Sequence, residues 1–584
     1  MYVVATAGHV DHGKSTLVHR LTGTWPDRLA EENRRGLTIE LGFAWTEVPA
    51  GRLAFVDVPG HQRFVPNMLA GIGPVVAVLF VVAADEGWMA QSAEHLAALD
   101  ALGVRHGLLA VTKSDRADPG PVAEAAREQL AGTSLGAVTA VAVSGRTGEG
   151  LPRLRAELDA LARGLPEPDR TADVRLWVDR AFTVRGAGTV VTGTLPQGTI
   201  EVGDELLVAG EAQRVRVRGL QSLGTEVGSA TAVARVAVNL RGIDPAAVGR
   251  GAALLTPGAW LTTDELDVRL RGDEPAWLPR EVMLHVGSAA IPARVRALGR
   301  TTARLSLRTG LPLRVGDVGL LRDPGRHRIA AGAEVLDIRP PSLHRRGAAR
   351  ARAQELAHAD ATDLAEATLR RRGFVPAGQL RAMGLPATAG MVRHDWVADP
   401  SLWSALPARA RRQMAEWQRA NPLAPGMPAE ALRERLGLPA ARLLPEALIG
   451  TGLTLRDGLV HDPSAAPLPP AVRRAVEVLE QRLADQPFRA PEAGELAELG
   501  LGARELAAAV RAGRLTRIGD GIVLGPGVVA KALGVLAGLS QPFTVSQARK
   551  ALDTTRRVAI PLLEHLDVHG HTEHLPDHTR RVMP

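Results

Sequence analysis

The stretch Gly8-His-Val-Asp-His-Gly-Lys-Ser15 fits the pattern G-x-x-x-x-G-K-[ST], and its flanks decide how the first domain folds. Before it, residues 2–7 (YVVATA) form a short run rich in β-branched residues; after it, Lys14 to Leu21 reads as a helix. A strand, a glycine loop and a helix in that order build an anion cradle. Glycines let backbone N–H groups close around a phosphate, Lys14 neutralises phosphoryl charge, the helix N-terminus adds its dipole, and Ser15 offers a hydroxyl to a divalent cation. Asp11, His12, Gly13, Lys14, Ser15 and Thr16 are therefore the expected phosphate-binding residues.

Apolar strand segments at 53–58, 75–83 and 107–112 alternate with helical stretches at 91–102 and 121–130, which predicts an open, mostly parallel α/β sheet. Ligands of such sheets sit beyond the C-terminal ends of strands, where two more motifs stand. Asp57-Val-Pro-Gly-His61 follows LAFVDV, so Asp57 can reach a Mg²⁺ shell and Gly60 can turn its N–H toward a γ-phosphate, while His61 lies beside the attacking water. Thr112-Lys-Ser-Asp115 also ends a strand, and Asp115 can accept both the N1 and N2 protons of guanine, a contact adenine cannot supply. Thr112, Lys113 and Asp115, with Ser144 and Gly145 after the strand AVTAVAV, form the expected guanine site.

At 584 residues the chain has room for roughly four domains of about 150 residues. Its 45% hydrophobic and 23% charged residues exclude a wholly disordered chain or a fibre. The absence of cysteine removes disulfides, thiolate metal sites and cysteine nucleophiles, and favours a reducing, cytoplasmic setting. The start MYVVATAGHV lacks a basic n-region, and the apolar stretch 74–84 is too short to span a bilayer, so neither export nor a membrane is expected. The net charge of +7 is carried mainly on arginine, which suits phosphate but is weak evidence for nucleic acid.

After GLPEPDRT (164–171) the texture changes to alternating strands with glycine turns, as in TVRGAGTVVTGTLPQGTIEVGDELLV, and it resumes from Leu266 to Ile338. Two β-barrels follow, with a boundary near Pro257. Arg339-Pro340-Pro341 reads as a stiff linker, beyond which helical segments repeat in a fixed order: helix, helix, helix, strand pair. The expected architecture is an α/β P-loop GTPase domain (1–168), β-barrel domains at 169–258 and 259–340, and four winged helices at 341–405, 406–465, 466–527 and 528–584. A solenoid of helix pairs is the alternative, but it would not need a strand pair in each unit.

The motifs GHVDHGKS, RRGLTIELG, DVPGH and TKSD, in this order, resemble those of the translational GTPases related to elongation factor Tu, whose GTPase domain is also followed by two barrels. Thr in place of the usual Asn at 112, the TIELG segment, the TVRGAGTVVTGT start of the second domain and the winged-helix extension narrow the resemblance to the selenocysteine-specific elongation factors. That resemblance implies GTP/GDP and Mg²⁺ as ligands, His61 as the catalytic residue, Mg²⁺ ligation by Ser15, Thr38 and Asp57, and an apolar gate of Val10 and Ile39 over the water. Thr112 loses the amide's paired donor and acceptor, so looser nucleotide binding is expected.

The resemblance also implies a selenocysteine pocket of Asp179 and Arg180, in Trp177-Val-Asp-Arg-Ala-Phe182, with Arg235. A selenolate is an anion and a seryl group is not; a guanidinium left unpaired by serine would disfavour it by roughly two to three powers of ten. The alternative, an Asp–Arg ion pair pinning two barrel strands, stays open. In the last repeat, Thr555, Arg556 and Arg557 begin a recognition helix whose Val558, Ile560, Leu562, Leu563 and Leu566 pack inward, with Arg549, Lys550, Arg580 and Arg581 flanking it. Residues 541–584 hold six Lys/Arg against five Asp/Glu, so any RNA grip there is local.

Together these features imply a monomeric, cytoplasmic GTPase. It would bring selenocysteinyl-tRNA to the ribosome at UGA codons marked by the selenocysteine-insertion (SECIS) hairpin of the mRNA, with GTP hydrolysis releasing the tRNA. Another aminoacyl- or initiator-tRNA carrier, or a nucleotide-switched RNA-tethering regulator, are the competing readings.

Overall fold

The computed structural model describes residues 1–26, 40–61, 64–73, 75–184, 188–210 and 213–584. It forms two compact units, Met1–Val397 and Ala398–Pro584. Thr38 and Ile39 lie outside the described residues.

The first unit opens with strands β1 (Tyr2–Ala7), β2 (Gly42–Val48), β3 (Gly51–Asp57), β4 (Ala77–Ala83), β5 (His106–Thr112) and β6 (Thr139–Ala142), arranged β2-β3-β1-β4-β5-β6. All pairs are parallel except β2 with β3. The AVLFVVA of β4 is buried along its whole length, as a strand covered on both faces requires. Leu17, Leu21, Leu154 and Leu158 cover one face, and Met68, Ile72, Leu96, Leu99 and Leu130 the other. The strand order reverses beside β1, so the loops after β1, β3 and β5 gather at one crevice.

The second domain pairs Arg175–Trp177, Ala253–Leu255, Glu205–Val208, Gln213–Ser222, Ala234–Arg241, Gly188–Leu195 and Arg180–Val184 in that order. Only Val178 and Asp179 separate the first and last of these along the chain. Val178 N–H bonds Ala252 O at 2.9 Å and Asp179 N–H bonds Thr192 O at 3.0 Å, so the sheet closes on itself through this short link. The third domain is a closed barrel, in the order Thr262–Gly272, Thr302–Pro312, Ala289–Ala297, Glu281–Val286, Val318–Asp323, Arg328–Asp337.

The Arg339-Pro340-Pro341 segment does not loosen the chain as a linker would. Leu356, Leu364, Leu369, Leu380 and Val397 share one apolar core with Leu266, Leu305 and Val335 of the third domain. A buried charge network adds to it: Asp267 accepts from Arg304 Nε at 2.7 Å and Arg352 Nε at 2.8 Å, and Arg352 Nη2 also reaches Asp337 at 2.5 Å.

In the second unit the same order recurs three times. Pro400–Ala420, Ala429–Leu436 and Leu444–Ala447 precede the strands Thr454–Arg456 and Leu459–His461. Pro470–Asp485, Ala493–Glu498 and Ala503–Arg511 precede Thr516–Gly519 and Ile522–Leu524. Val528–Ala537, Val545–Ala551 and Arg556–Val568 precede Thr572–His574 and Arg580–Val582. The strand pair closing each group argues against a helix-pair solenoid. Helix Pro400–Ala420 runs through the boundary expected at 405/406; Asp399 caps it, accepting from Leu402 N–H at 2.7 Å, so the helix starts before that boundary. Among the described residues no helix is long and apolar enough to cross a membrane.

Candidate functional site

The phosphate loop turns through positive φ at Gly8 (131°), Asp11 (62°) and Gly13 (80°). A Cβ on Gly8 would stand 2.1 Å from Val81 O, so only glycine lets the loop lie against β4. Lys14 is buried, and its Nζ crosses back to donate to Gly8 O (3.1 Å) and His9 O (2.7 Å). Ser15 Oγ donates to Asp57 Oδ2 at 2.6 Å, and Thr6 Oγ1 to Asp57 Oδ1 at 2.7 Å, so hydroxyl and carboxylate converge beside the loop. These are hard oxygen ligands of the type Mg²⁺ takes. Gly60 sits so close that a Cβ there would be 2.6 Å from both Lys14 Nζ and Val10 N. The Asp57–His61 turn is thereby pressed onto the loop. His61 is half-buried, its ring 6.0 Å from that of Phe64.

Two residues that the motifs do not flag hold the loop from the far side. On helix Ala90–Ala101, Gln91 Oε1 accepts from Val10 N–H and His95 Nδ1 from Gly8 N–H, each at 3.1 Å. An accepting Nδ1 requires neutral imidazole, and burial pushes the His95 pKa down to about 3; burial likewise lowers His12 to about 4. The i, i+4 spacing puts Gln91 and His95 on one face of the helix. That spacing was legible in the sequence, but the partners of the two side chains were not.

At the base site Asp115 is exposed and accepts from buried Ser144 Oγ at 2.7 Å; this bond holds its carboxyl below the usual carboxylate range. Ser144 thus acts through its hydroxyl, orienting Asp115. Arg20 ties down the same loop through Gly145 O (2.5 Å) and Arg146 O (3.0 Å). Lys113, at φ 56°, turns its ammonium to Asp85 and Glu86. Thr112 is buried and donates to His12 O at 2.7 Å. Its hydroxyl thus tethers the phosphate loop, from a position expected at the guanine site.

The Asp179, Arg180 and Arg235 trio comes together, with partners already in place. Asp179 takes both Arg235 nitrogens, Nη2 at 2.8 Å, and also accepts from Thr192 Oγ1 at 2.7 Å. The Arg235 guanidinium lies 3.8 Å from the centroid of the Phe43 ring. Arg180 Nη2 meets Glu40 Oε2 at 2.5 Å. Arg250 lines the same small cleft, together with Leu41, and donates to Asn67 Oδ1 (2.5 Å) and Pro66 O (3.1 Å). The strand-pinning Asp–Arg pair therefore exists, within the pocket itself. Because carboxylates already satisfy Arg180 and Arg235, a seryl group would leave neither charge unpaired, and the two to three powers of ten reckoned from an unpaired guanidinium do not follow. Glu40 lies within the RRGLTIELG motif and Arg250 within none; tertiary proximity alone reveals their place in the cleft.

In the last repeat, Thr555 and Arg556 are exposed at the start of helix Arg556–Val568, with Lys550 exposed and Arg549 half-buried on the preceding helix. Val558, Leu562, Leu563 and Leu566 are buried as expected, while Ile560 is half-buried. Arg557 is exposed as expected and also donates to Pro491 O at 2.9 Å, tying its repeat to the one before. One expectation is corrected. Arg580 is buried on Asp567 at 2.8 Å, a structural bond that removes it from any RNA-facing surface.

Three family descriptions match this chain: the elongation factor Tu GTP binding domain over residues 1–166, the selenocysteine-specific elongation factor β-barrel domain over 263–342, and the elongation factor SelB winged helix over 535–581. The selenocysteine-specific elongation factor of Escherichia coli (strain K12) is 35% identical over 455 residues, 75% of this chain and 73% of that protein. That of Desulfomicrobium baculatum is 39% identical over 400 residues; the match takes in 65% of this chain and spans 63% of that protein's length. A crystal structure of a bacterial selenocysteine-specific elongation factor superposes over 100% of both chains with a TM-score of 0.74 and 28% identity. With the nucleotide crevice, the closed barrels and these relatives in agreement, the chain belongs to the selenocysteine-specific elongation factors, translational GTPases related to elongation factor Tu.

Proposed function

We propose that this chain carries selenocysteinyl-tRNA in its GTP-bound form to ribosomes halted at UGA, and surrenders it on GTP hydrolysis. The observation that carries this reading is the cleft lined by Arg180 and Arg250, with Arg235 on its Phe43 and Asp179 wall, which brings the second domain against the GTPase domain. Its chemistry suits an anionic aminoacyl group. In the crevice, Asp11 to Thr16 and Gly60 cradle the phosphates, and Asp115, oriented by Ser144, selects guanine while Lys113 and Gly145 frame the base. Ser15 and Asp57, with Thr38, would hold Mg²⁺, which would supply charge neutralisation to the phosphates. His61 orients the attacking water, and Val10 and Ile39 screen it.

We read residues 341–584 as four winged helices, the first fused to the third domain, and assign the last to a messenger-RNA hairpin of the selenocysteine-insertion type. Arg549, Lys550, Thr555 and Arg556 contact that RNA; Arg557 acts through its tether to Pro491. The protein works as a cytoplasmic monomer. Protection of the aminoacyl ester from hydrolysis tests the reading: with GTP, the wild type should protect selenocysteinyl-tRNA well above seryl-tRNA, and Arg180→Ala should remove most of that preference. Equal protection of both tRNAs by the wild type would refute it.

A further inference from the structure

We propose that Glu40 is a built-in counter-ion of the cargo cleft, occupying Arg180 until an anionic cargo displaces it. The inference rests on the reading of Asp179, Arg180 and Arg235 as the cargo pocket. The two carboxylates of the cleft differ in kind. Asp179 and Arg235 have side chains only 8% and 11% exposed, and Thr192 and the Phe43 ring further fix them. The Glu40 and Arg180 side chains are 47% and 38% exposed, and Arg180 Nη2 meets Glu40 Oε2 at 2.5 Å. The buried pair is part of the barrel; the exposed one is open to exchange.

Charge makes the exchange selective. Among the described residues, two guanidiniums (Arg180, Arg250) and two carboxylates (Asp179, Glu40) line the cleft, and Arg235, paired with Asp179, brings the local sum to +1. An anionic selenolate can take the place of Glu40 on Arg180 and leave the balance intact. A neutral seryl hydroxyl offers no charge to exchange, so Glu40 stays where it is. The arginines then choose the anion, and competition with the internal carboxylate sets how tightly that anion is held. Glu40 lies two residues beyond Thr38 and leads into β2, so the competitor is mounted on the GTPase domain and the arginine it holds on the second domain.

The test measures dissociation constants of GTP-bound full-length protein for selenocysteinyl-tRNA and seryl-tRNA, in the wild type, Glu40→Gln and Arg180→Ala. Removing a half-exposed competing charge should tighten selenocysteinyl-tRNA binding about two- to fivefold. Seryl-tRNA binding should stay constant, and the gain should shrink as salt rises. Glu40→Asp, one methylene shorter with its charge kept, should fall between. Weaker selenocysteinyl-tRNA binding, a parallel change for both tRNAs, or no change would overturn the proposal. If Arg180→Ala removes the preference while Glu40→Gln leaves it unsharpened, only the role of Glu40 fails; if Arg180→Ala leaves the preference intact, the pocket reading itself fails.

Discussion

Replacing Thr112 by valine removes one hydroxyl and almost no volume, at a position where that hydroxyl meets loop and strand carbonyls. In the folded chain that hydroxyl donates to His12 O at 2.7 Å, with Val82 O at 3.4 Å. The variant leaves a buried carbonyl of the phosphate loop without this donor, a loss of about 1–3 kcal/mol. If the whole loss falls on the nucleotide-bound loop, release quickens by about fivefold to 150-fold. Stopped-flow release of a fluorescent GDP reads this directly, with Thr112→Ser as the control that restores the donor. Because the hydroxyl points to the loop, affinities for GTP and ITP should fall together in Thr112→Val. Asp115→Asn, in contrast, should change their ratio. Unchanged release in Thr112→Val, or a shift in GTP:ITP preference, would refute the tether and return Thr112 to the base.

Other perturbations test the remaining parts of the argument. His95 and His12, held near 3 and 4 against about 6.5 for free imidazole, stay neutral in the folded chain while the unfolded chain takes up protons below about pH 6.5. Stability should therefore fall as pH drops from 6.5 toward 4, and His95→Gln should lessen that loss by up to about 2 kcal/mol at pH 5, read from denaturation of the transition that GDP raises. Asp267→Ala takes from Arg304 its buried carboxylate and from Arg352 one of its carboxylates, and should cost about 3–5 kcal/mol in urea unfolding, whereas a loss under 1 kcal/mol would mean that water reaches the network. Gly60→Ala drives a methyl to 2.6 Å from Lys14 Nζ and Val10 N, so single-turnover GTP hydrolysis should drop at least tenfold; wild-type rates would show that the turn yields easily. Arg556→Ala should weaken binding to the selenocysteine-insertion hairpin and flatten its salt dependence, while Arg557→Ala should chiefly loosen the tether to Pro491, seen as faster amide exchange around residue 491.

The order of strands, glycine loops and helices in the first 168 residues was legible because each motif is local: a phosphate loop needs its glycines, lysine and serine within eight positions, and a covered parallel strand needs an unbroken apolar run. The strand pair ending each C-terminal group was equally local, since a glycine turn between two short alternating runs pairs with itself. What the chain order could not reveal was partnership across distance. Gln91 and His95 serve a loop more than eighty residues away, and Glu40 and Arg250 enter the cleft from different domains. The proline pair at 340–341 read as a break because proline stiffens a segment, yet buried charges and a shared core fuse the helices after it to the barrel before it. Sequence by itself determined which chemistries are present, because phosphate, guanine and anion recognition each demand particular side chains. Tertiary structure decided which of those side chains are already spent on one another, because a charge or hydrogen bond is satisfied by whatever lies within about 3 Å in space, however distant along the chain.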